Sequence, residues 1–474
     1  MRQFVRSVLF LTTTTLSFLM ATHTNAEKIL TTTLANGLNV VIKENPRAPL
    51  AMVQVWYTVG GVDEPKEKLG ISHVLEHMMF KGTIRVPDDE LKLLNRRFGG
   101  SLNAFTSNNY TYYYQLYPKD YLDLALELEA DRMSGLYLQQ KDLTTEIKVV
   151  MEERRQRTDD NPQALAFEKF RYAAYPQNNY QNPVIGHMKN LQNIDLKDLQ
   201  QWYQLWYAPN NATVVVVGDV NPQQTLLKIQ RYFGDIPTKT LPARAQLSHP
   251  THLGYRHVDI ENSTEVPNLY MAWNVPSLKT ANIEKDAYSL MLLKQILSGN
   301  LSARLNTELV QKQKILTTAS VSYDFIQRGD TLFTITAIPT QGVALKTAQQ
   351  AILQIIDQLK AELISEDELQ QTIVNTLSQL IYSQDTISGQ AQLLGSLQVM
   401  GFKSETANEF STKYQSVQPQ DIQAVIRRYL SNENLTTLYL QSEKYKQITA
   451  GKDLPSPDNI APPILPETTT SQEQ

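Results

Sequence analysis

The sequence predicts an α+β protein made of two similar halves, each a largely antiparallel sheet with helices packed on it. Three observations predict it. Runs rich in β-branched and aromatic residues, such as "PLAMVQVWYTVGG" (49–61), read as strands. They interleave with segments of helical period, such as "ALKTAQQAILQIIDQLKAEL" (344–363), whose apolar residues recur every three or four positions. The same order of segments also occurs twice. "PLAMVQVWYTVGG" is answered by "PNLYMAWNVPS" (267–277), and each is followed by a helical pattern. "LQQWYQLWYAPNNATVVVVGDV" (199–220) is answered by "IQAVIRRYLSNENLTTLYLQS" (422–442), in both cases a helix and then a strand. Trp56 and Trp273 lie 217 positions apart and Tyr207 and Tyr429 lie 222 apart, two nearly equal offsets that mark a diverged duplication.

The length of 474 residues suits two or three domains. A hydrophobic fraction of 42%, a charged fraction of 19% and a net charge of −4 give an ordinary globular profile with ample core. That balance does not point to a nucleic-acid binder or a membrane-surface protein. Residues 1–26 read as a secretory signal: Arg2 and Arg6 precede a short, Thr-diluted apolar stretch, and Thr24 and Ala26 set a cleavage point before Glu27. The simplest destination is a bacterial periplasm. Residues 27–236 form the first half and 256–450 the second. Residues 237–255, with prolines and no sustained period, read as a linker, and the Pro-rich 451–474 as a disordered tail. The chain has no cysteine, which excludes disulfides, thiolate metal sites and a cysteine nucleophile.

The chemistry concentrates in "GISHVLEHMMFKGT" (70–83). On a helix, His73 and His77 share a face and can aim both imidazoles at one ion, a donor set that suits zinc. Glu76 is poorly placed to bind the same ion. It can reach a water beside it, as a general base does. The order His-x-x-Glu-His inverts the commoner His-Glu-x-x-His helix. A catalytic zinc wants a third protein ligand, and no third histidine is placed for it. The stretch "TTEIKVVMEERRQRTDDNP" (144–162) offers carboxylates. Glu146 and Glu153 lie two turns apart on one helix face, and Glu152 points about 100° away.

These residues resemble the pitrilysin/insulinase family of zinc peptidases, which includes the mitochondrial processing peptidases. The resemblance covers nearly the whole chain beyond the signal. It rests on His-x-x-Glu-His, on a glutamate 76 residues beyond His77, on the Gly-rich lead-in and trailing Phe-Lys-Gly-Thr, and on "GGSLNAFTSNNYTYYY" (99–114). It implies that His73, His77 and Glu153 bind one zinc per chain and that Glu76 is the base. It implies that Glu146 orients the ligands from behind, and that Asn103 and Ala104 lie on an edge strand that pairs with substrate backbone. The implied activity is a zinc metalloendopeptidase acting on small or unfolded peptides, with the two halves enclosing a cavity. The rival readings are a non-enzymatic scaffold or assembly subunit retaining the fold, and a narrow processing protease for one peptide.

One family feature is absent. Active relatives carry an arginine and a tyrosine seven apart in the second half, which hold substrate near the metal. The matching positions in "LSARLNTELVQKQKILTTASVSYDF" (301–325) are Val310 and Thr317, with Arg304 and Tyr323 nearby. The resemblance therefore implies a heterodimer whose other family chain supplies the pair, the alternative being a homodimer or monomer with a relocated clamp. Elsewhere, His249, His252 and His257 cluster in or beside the linker without a carboxylate or thiolate partner, which argues against a second metal. The Val run ending at Asp219 lacks any phosphate-binding glycine pattern and reads as a buried strand with a turn.

Overall fold

The structure is a computed structural model and describes residues 29–87, 90–244, 247, 253–262 and 264–450. The expected signal (1–26), the expected tail (451–474), His249 and His252 lie outside the described residues. The first sheet contains β1 (Ile29–Thr33), β2 (Asn39–Glu44), β3 (Leu50–Tyr57), β4 (Ser101–Thr106), β5 (Thr111–Pro118) and β6 (Ala212–Gly218), in the order β1-β2-β6-β3-β5-β4. The second contains β7 (Arg256–Glu261), β8 (Asn268–Val275), β9 (Leu316–Tyr323), β10 (Thr331–Pro339) and β11 (Thr436–Gln441), in the order β7-β11-β8-β10-β9.

With β1 set aside, the two orders coincide strand for strand. β2 beside β6 and β7 beside β11 are the parallel pairs, and every other pairing is antiparallel. The class is α+β, and the duplication expected from the sequence is present as topology.

Each sheet buries one face under helices of its own half. Val53, Val55, Tyr57, Val214 and Val216 face a core that includes Val74, Leu75, Met78 and Leu126. Leu269, Met271, Trp273 and Phe333 do the same against Leu293, Ile352 and Ile426. The opposite faces are covered by exchange. The helix Ile387–Val399 of the second half lies on β6 and β3, where Ala391 and Leu394 meet Met52, Trp56, Val215 and Val217. The helix Pro162–Ala174 of the first half lies on β7, β8 and β11, where Ala166 and Phe170 meet Tyr270, Ala272, Leu438 and Leu440. This exchange explains why β6 reads as an unbroken Val run: its four valines are all fully buried, two on each face. Each such burial contributes roughly 1.5–3 kcal/mol.

The tryptophan match that signals the repeat is one residue out of register. Trp56 faces the second half's helix, close against Gly395, whereas Trp273 faces its own half's helices. Side chains alternate along a strand, so a one-residue slip exchanges the faces.

The helix Ile71–Met78 follows β3 and packs Ile71, Val74, Leu75 and Met78 into the first core. Those positions are i, i+3, i+4 and i+7, so residues 73, 76 and 77 are left on the outer face. That face meets the helix Gln140–Arg154, while β4 runs alongside as the open edge of the sheet.

Candidate metal centre

Two features fix where the histidine helix begins. Gly70 adopts φ 94°, and a Cβ there would come within 2.7 Å of the Ile185 carbonyl oxygen, so only glycine fits. The buried carboxylate of Glu64 accepts the N–H of Gly70 at 2.6 Å and of Ser72 at 2.8 Å, which satisfies two of the helix's orphan donors. Burial pushes the Glu64 carboxyl up to about 8, against the pull of those two N–H groups.

The helix Gln140–Arg154 brings its carboxylates to the same place. Glu153 Oε2 lies 3.8 Å from His73 Nε2 and 3.5 Å from His77 Nε2. One donor atom from each of the three residues falls within 4.8 Å of the others, and this is the only such cluster found among the described residues. The separations are long for hydrogen bonds. They approach the roughly 3.3 Å expected between ligand atoms of a tetrahedral zinc with bonds of about 2 Å. Three protein donors leave a fourth position for water or substrate. On its own geometry and chemistry, the donor set fits zinc.

The surroundings support the same use. Glu146 Oε2 lies 3.1 Å from His77 Nδ1, and Lys81 Nζ lies 2.6 Å from Glu146 Oε1. The far nitrogen of His77 is thus held by a carboxylate that is itself held by a lysine. Arg157 Nη1 sits 2.5 Å from Glu153 Oε1, the oxygen turned away from the histidines. Burial, with His77 alongside, lowers the His73 pKa to about 4 and keeps that imidazole neutral, as a ligand must be. For His77, burial also pushes downward, but Glu153, Glu146 and Glu76 outweigh it and the net shift is upward. The His77 imidazole facing its carboxylate, helped by His73 and Arg157, holds Glu153 below the usual carboxylate range, although burial opposes it.

Glu76 lies beside this cluster and lines the same cavity of about 520 Å³. Its carboxylate accepts the Thr106 hydroxyl, and burial raises its proton affinity. Asn103 and Ala104 line the cavity from β4, together with Phe105, Val184 and Ile185. The Asn103 side-chain oxygen accepts the Ala104 N–H at 2.9 Å. That local bond occupies a main-chain donor that an added strand would otherwise use. Glu152 points to solvent and pairs with Arg155 and Gln156.

Other expected residues are placed elsewhere. Val310 packs against the second core, and Thr317 lines a separate cavity beside Pro339 and Tyr445. Arg304 is locked in a two-point ion pair with Glu368, and the Tyr323 hydroxyl donates to the Pro276 carbonyl at 2.8 Å. His257 sits on β7 with Thr437 and Asp259 as its partners. Tyr112 stacks on Trp56, and the hydroxyls of Tyr113 and Tyr207 are bonded to each other, so these tyrosines serve packing. Sequence reasoning passed over Glu64, Lys81, Thr106 and Arg157. Glu64 carried no capping signal, since it lies six residues ahead of the N-cap Gly70 and outside the first-turn positions where an acid is expected.

Comparison with known proteins agrees with this picture. The model of "Insulinase (Peptidase family M16)" matches residues 39–187, and that of "Peptidase M16 inactive domain" matches 193–375. The zinc protease PqqE of Helicobacter pylori is 30% identical over 414 residues, covering 86% of this chain and 92% of that protein. The beta subunit of the mitochondrial-processing peptidase of Lentinula edodes is 25% identical over 415 residues, covering 84% and 86%. A crystal structure of a protease from Helicobacter pylori superposes with a TM-score of 0.82 at 29% identity, covering 88% of this chain and 100% of that one. With both halves matched, and with the metal-type cluster found in the first half among the described residues, the chain belongs to peptidase family M16.

Proposed function

We propose that the chain is an exported zinc metalloendopeptidase, with one zinc per chain held by His73, His77 and Glu153. The observation that carries this reading is the convergence of two imidazole Nε2 atoms on the Glu153 carboxylate, beside Glu76 in one cavity. The names of relatives such as the zinc protease PqqE support it. Residues 27–236 would form the peptidase unit and 256–450 its metal-free counterpart, joined by 237–255. Export rests on the signal pattern of residues 1–26.

A zinc ion at this site supplies Lewis acidity, which acidifies water and polarises a peptide carbonyl. The protein's own groups do the rest. Glu76, with its proton affinity raised by burial and one oxygen held by Thr106, takes the proton from the attacking water and delivers it to the departing amine. Glu146 and Lys81 fix the ring of His77. The open edge of β4 binds the substrate as an added strand through its main chain once Asn103 releases the Ala104 N–H. Main-chain recognition reads little sequence, which fits small or unfolded peptides.

The chain is proposed to act as the catalytic subunit of a heterodimer. The metal cavity is lined, among the described residues, by the first half alone. Val310 has no side-chain donor and Thr317 offers only an aliphatic hydroxyl, so neither gives the charge-assisted or phenolic hydrogen bond of an arginine or a tyrosine, and Arg304 and Tyr323 are already engaged. A second family chain that lacks His-x-x-Glu-His would supply the missing donors. The test is peptide cleavage by this chain alone and with such a chain added. Activity only in the mixture, abolished by Glu76→Gln in this chain, is expected. Full activity from the isolated chain, unchanged by the addition, contradicts the heterodimer. No cleavage under any condition contradicts the peptidase.

A further inference from the structure

The loop Gly60–Glu64, ahead of the histidine helix, is bonded on three sides. Its Asp63 carboxylate is 2% exposed and accepts four hydrogen bonds. Gly60 N donates to Oδ2 at 3.1 Å and Arg244 Nη1 to Oδ1 at 3.2 Å. Arg328 donates through Nη1 to Oδ2 at 3.1 Å and through Nη2 to Oδ1 at 2.9 Å, a two-point grip. Arg244 belongs to the segment between the sheets. Arg328 belongs to the turn between β9 and β10, in the second half. Gly329 beside it donates its N–H to Tyr180 Oη at 3.0 Å, and a Cβ at that position would meet Leu247 at 2.6 Å.

The next residue, Glu64, faces the other way and holds the start of the histidine helix through Gly70 and Ser72. The same loop also bonds the end of β4. Gly61 N donates to Ser107 O at 3.1 Å and Val62 N to Asn108 O at 3.0 Å. A Cβ on Gly60 would lie 2.3 Å from Ser107 O, so the approach is as close as a glycine permits. Thr106, which holds Glu76, is the residue before Ser107.

We propose that Asp63 and Glu64 are positioning residues through which the β9–β10 turn of the second half sets the histidine helix and β4, and so the geometry of the metal centre. The metal-free half thereby acts on the site without lining it. Two buried carboxylates in succession are costly unless each is fully satisfied, and here each is satisfied by a different part of the molecule. A loop gripped this way cannot shift at Arg328 without moving either Gly70 and Ser72 or the strand end that holds Glu76. The effect on zinc rests on the zinc reading above, whereas the mechanical link does not.

The test uses the full chain with Arg328→Met, which leaves Asp63 paired with Arg244 and avoids an uncompensated buried charge. Amide hydrogen exchange is followed in the metal-free protein, and zinc affinity by chelator competition. Faster exchange in Ile71–Met78, with β3 unchanged, and zinc weakened roughly 10-fold are expected, the size typical of losing an outer partner of a ligand. Glu64→Met, which removes both acceptor oxygens and so cuts the second link, should reproduce both effects with the Arg328 grip intact. Exchange that rises only around Arg328, or evenly throughout, with parental zinc affinity, overturns the proposal. If Arg328→Met fails to fold, Arg328→Lys is read by the same measurements and criteria. If the parent binds no zinc, the zinc reading fails, and the exchange arm still decides the mechanical link.

Discussion

The two halves share one strand order, yet among the described residues only the first assembles a metal-type cluster. The contrast lies in one helix and its neighbour. In the first half, Ile71–Met78 is eight residues long and two-sided, with His73 and His77 turned toward Gln140–Arg154 and Glu76 bonded to Thr106 of β4. In the second, Glu284–Ser298 is fifteen residues long and buried on nearly all sides, with Leu290, Leu293 and Leu297 in the core. Its neighbour Glu366–Ser383 carries acids only in the first turn, one of which is held by Arg304. The same topology thus accepts either a helix contact crossed by a neutral Gln295–Gln379 hydrogen bond or a liganding one of histidines and carboxylates. A few side chains on one helix pair decide which, and function is a property of the site rather than of the fold.

The largest expected effect breaks the chemistry without touching the ligands. Glu76→Gln should lower turnover by at least about 10²-fold while zinc content stays at the parental level. Steady-state kinetics with metal analysis on one preparation checks it, and parental turnover would remove Glu76 from its role.

Next is the exchange of covering helices. A Cβ on Gly395 would fall 2.2 Å from the Trp56 indole, so Gly395→Val overpacks the contact between halves. A cost of about 1–3 kcal/mol is expected, seen as one shared transition in chemical unfolding because each half covers the other's sheet. Two separated transitions in the parent protein would show that the halves are independent.

A smaller effect sharpens the liganding side. Lys81→Met leaves every proposed zinc ligand in place but frees Glu146 from its lysine, and zinc should weaken by up to roughly 10-fold. Chelator competition reads it directly, and an unchanged affinity would make the Lys81 contact incidental. The smallest effect concerns β4. Asn103→Ala removes the side chain that occupies the Ala104 N–H, while strand addition depends on main chain. KM should change by no more than about fivefold, the worth of one neutral hydrogen bond. A change of orders of magnitude would assign the Asn103 side chain a direct role in binding.

What the sequence disclosed was local or periodic. The histidine helix was legible because Ile71, Val74, Leu75 and Met78 mark one face and leave residues 73, 76 and 77 on the other. Helical phase put Glu153 on one face with Glu146, and the family resemblance, through the 76-residue spacing from His77, chose it over Glu152. The duplication was legible as order, but its Trp56–Trp273 match slipped by one residue, because residue identity does not report which sheet face a side chain occupies. The exchanged helices were hidden, since the partners of Trp56 lie in 391–400, far along the chain. Asp63 and Glu64 were visible only as part of a lead-in. Their partners, Arg328, Arg244, Gly70 and Ser72, are brought to them by the fold, and no local pattern encodes that.

The central claim is that His73, His77 and Glu153 hold one zinc per chain. Zinc content after exhaustive dialysis of the parent, Glu152→Gln and Glu153→Gln tests it most directly. The account predicts one zinc per chain in the parent and in Glu152→Gln, and a large loss in Glu153→Gln. Equal loss in both variants, loss at Glu152 alone, or a parent that carries no zinc would contradict it.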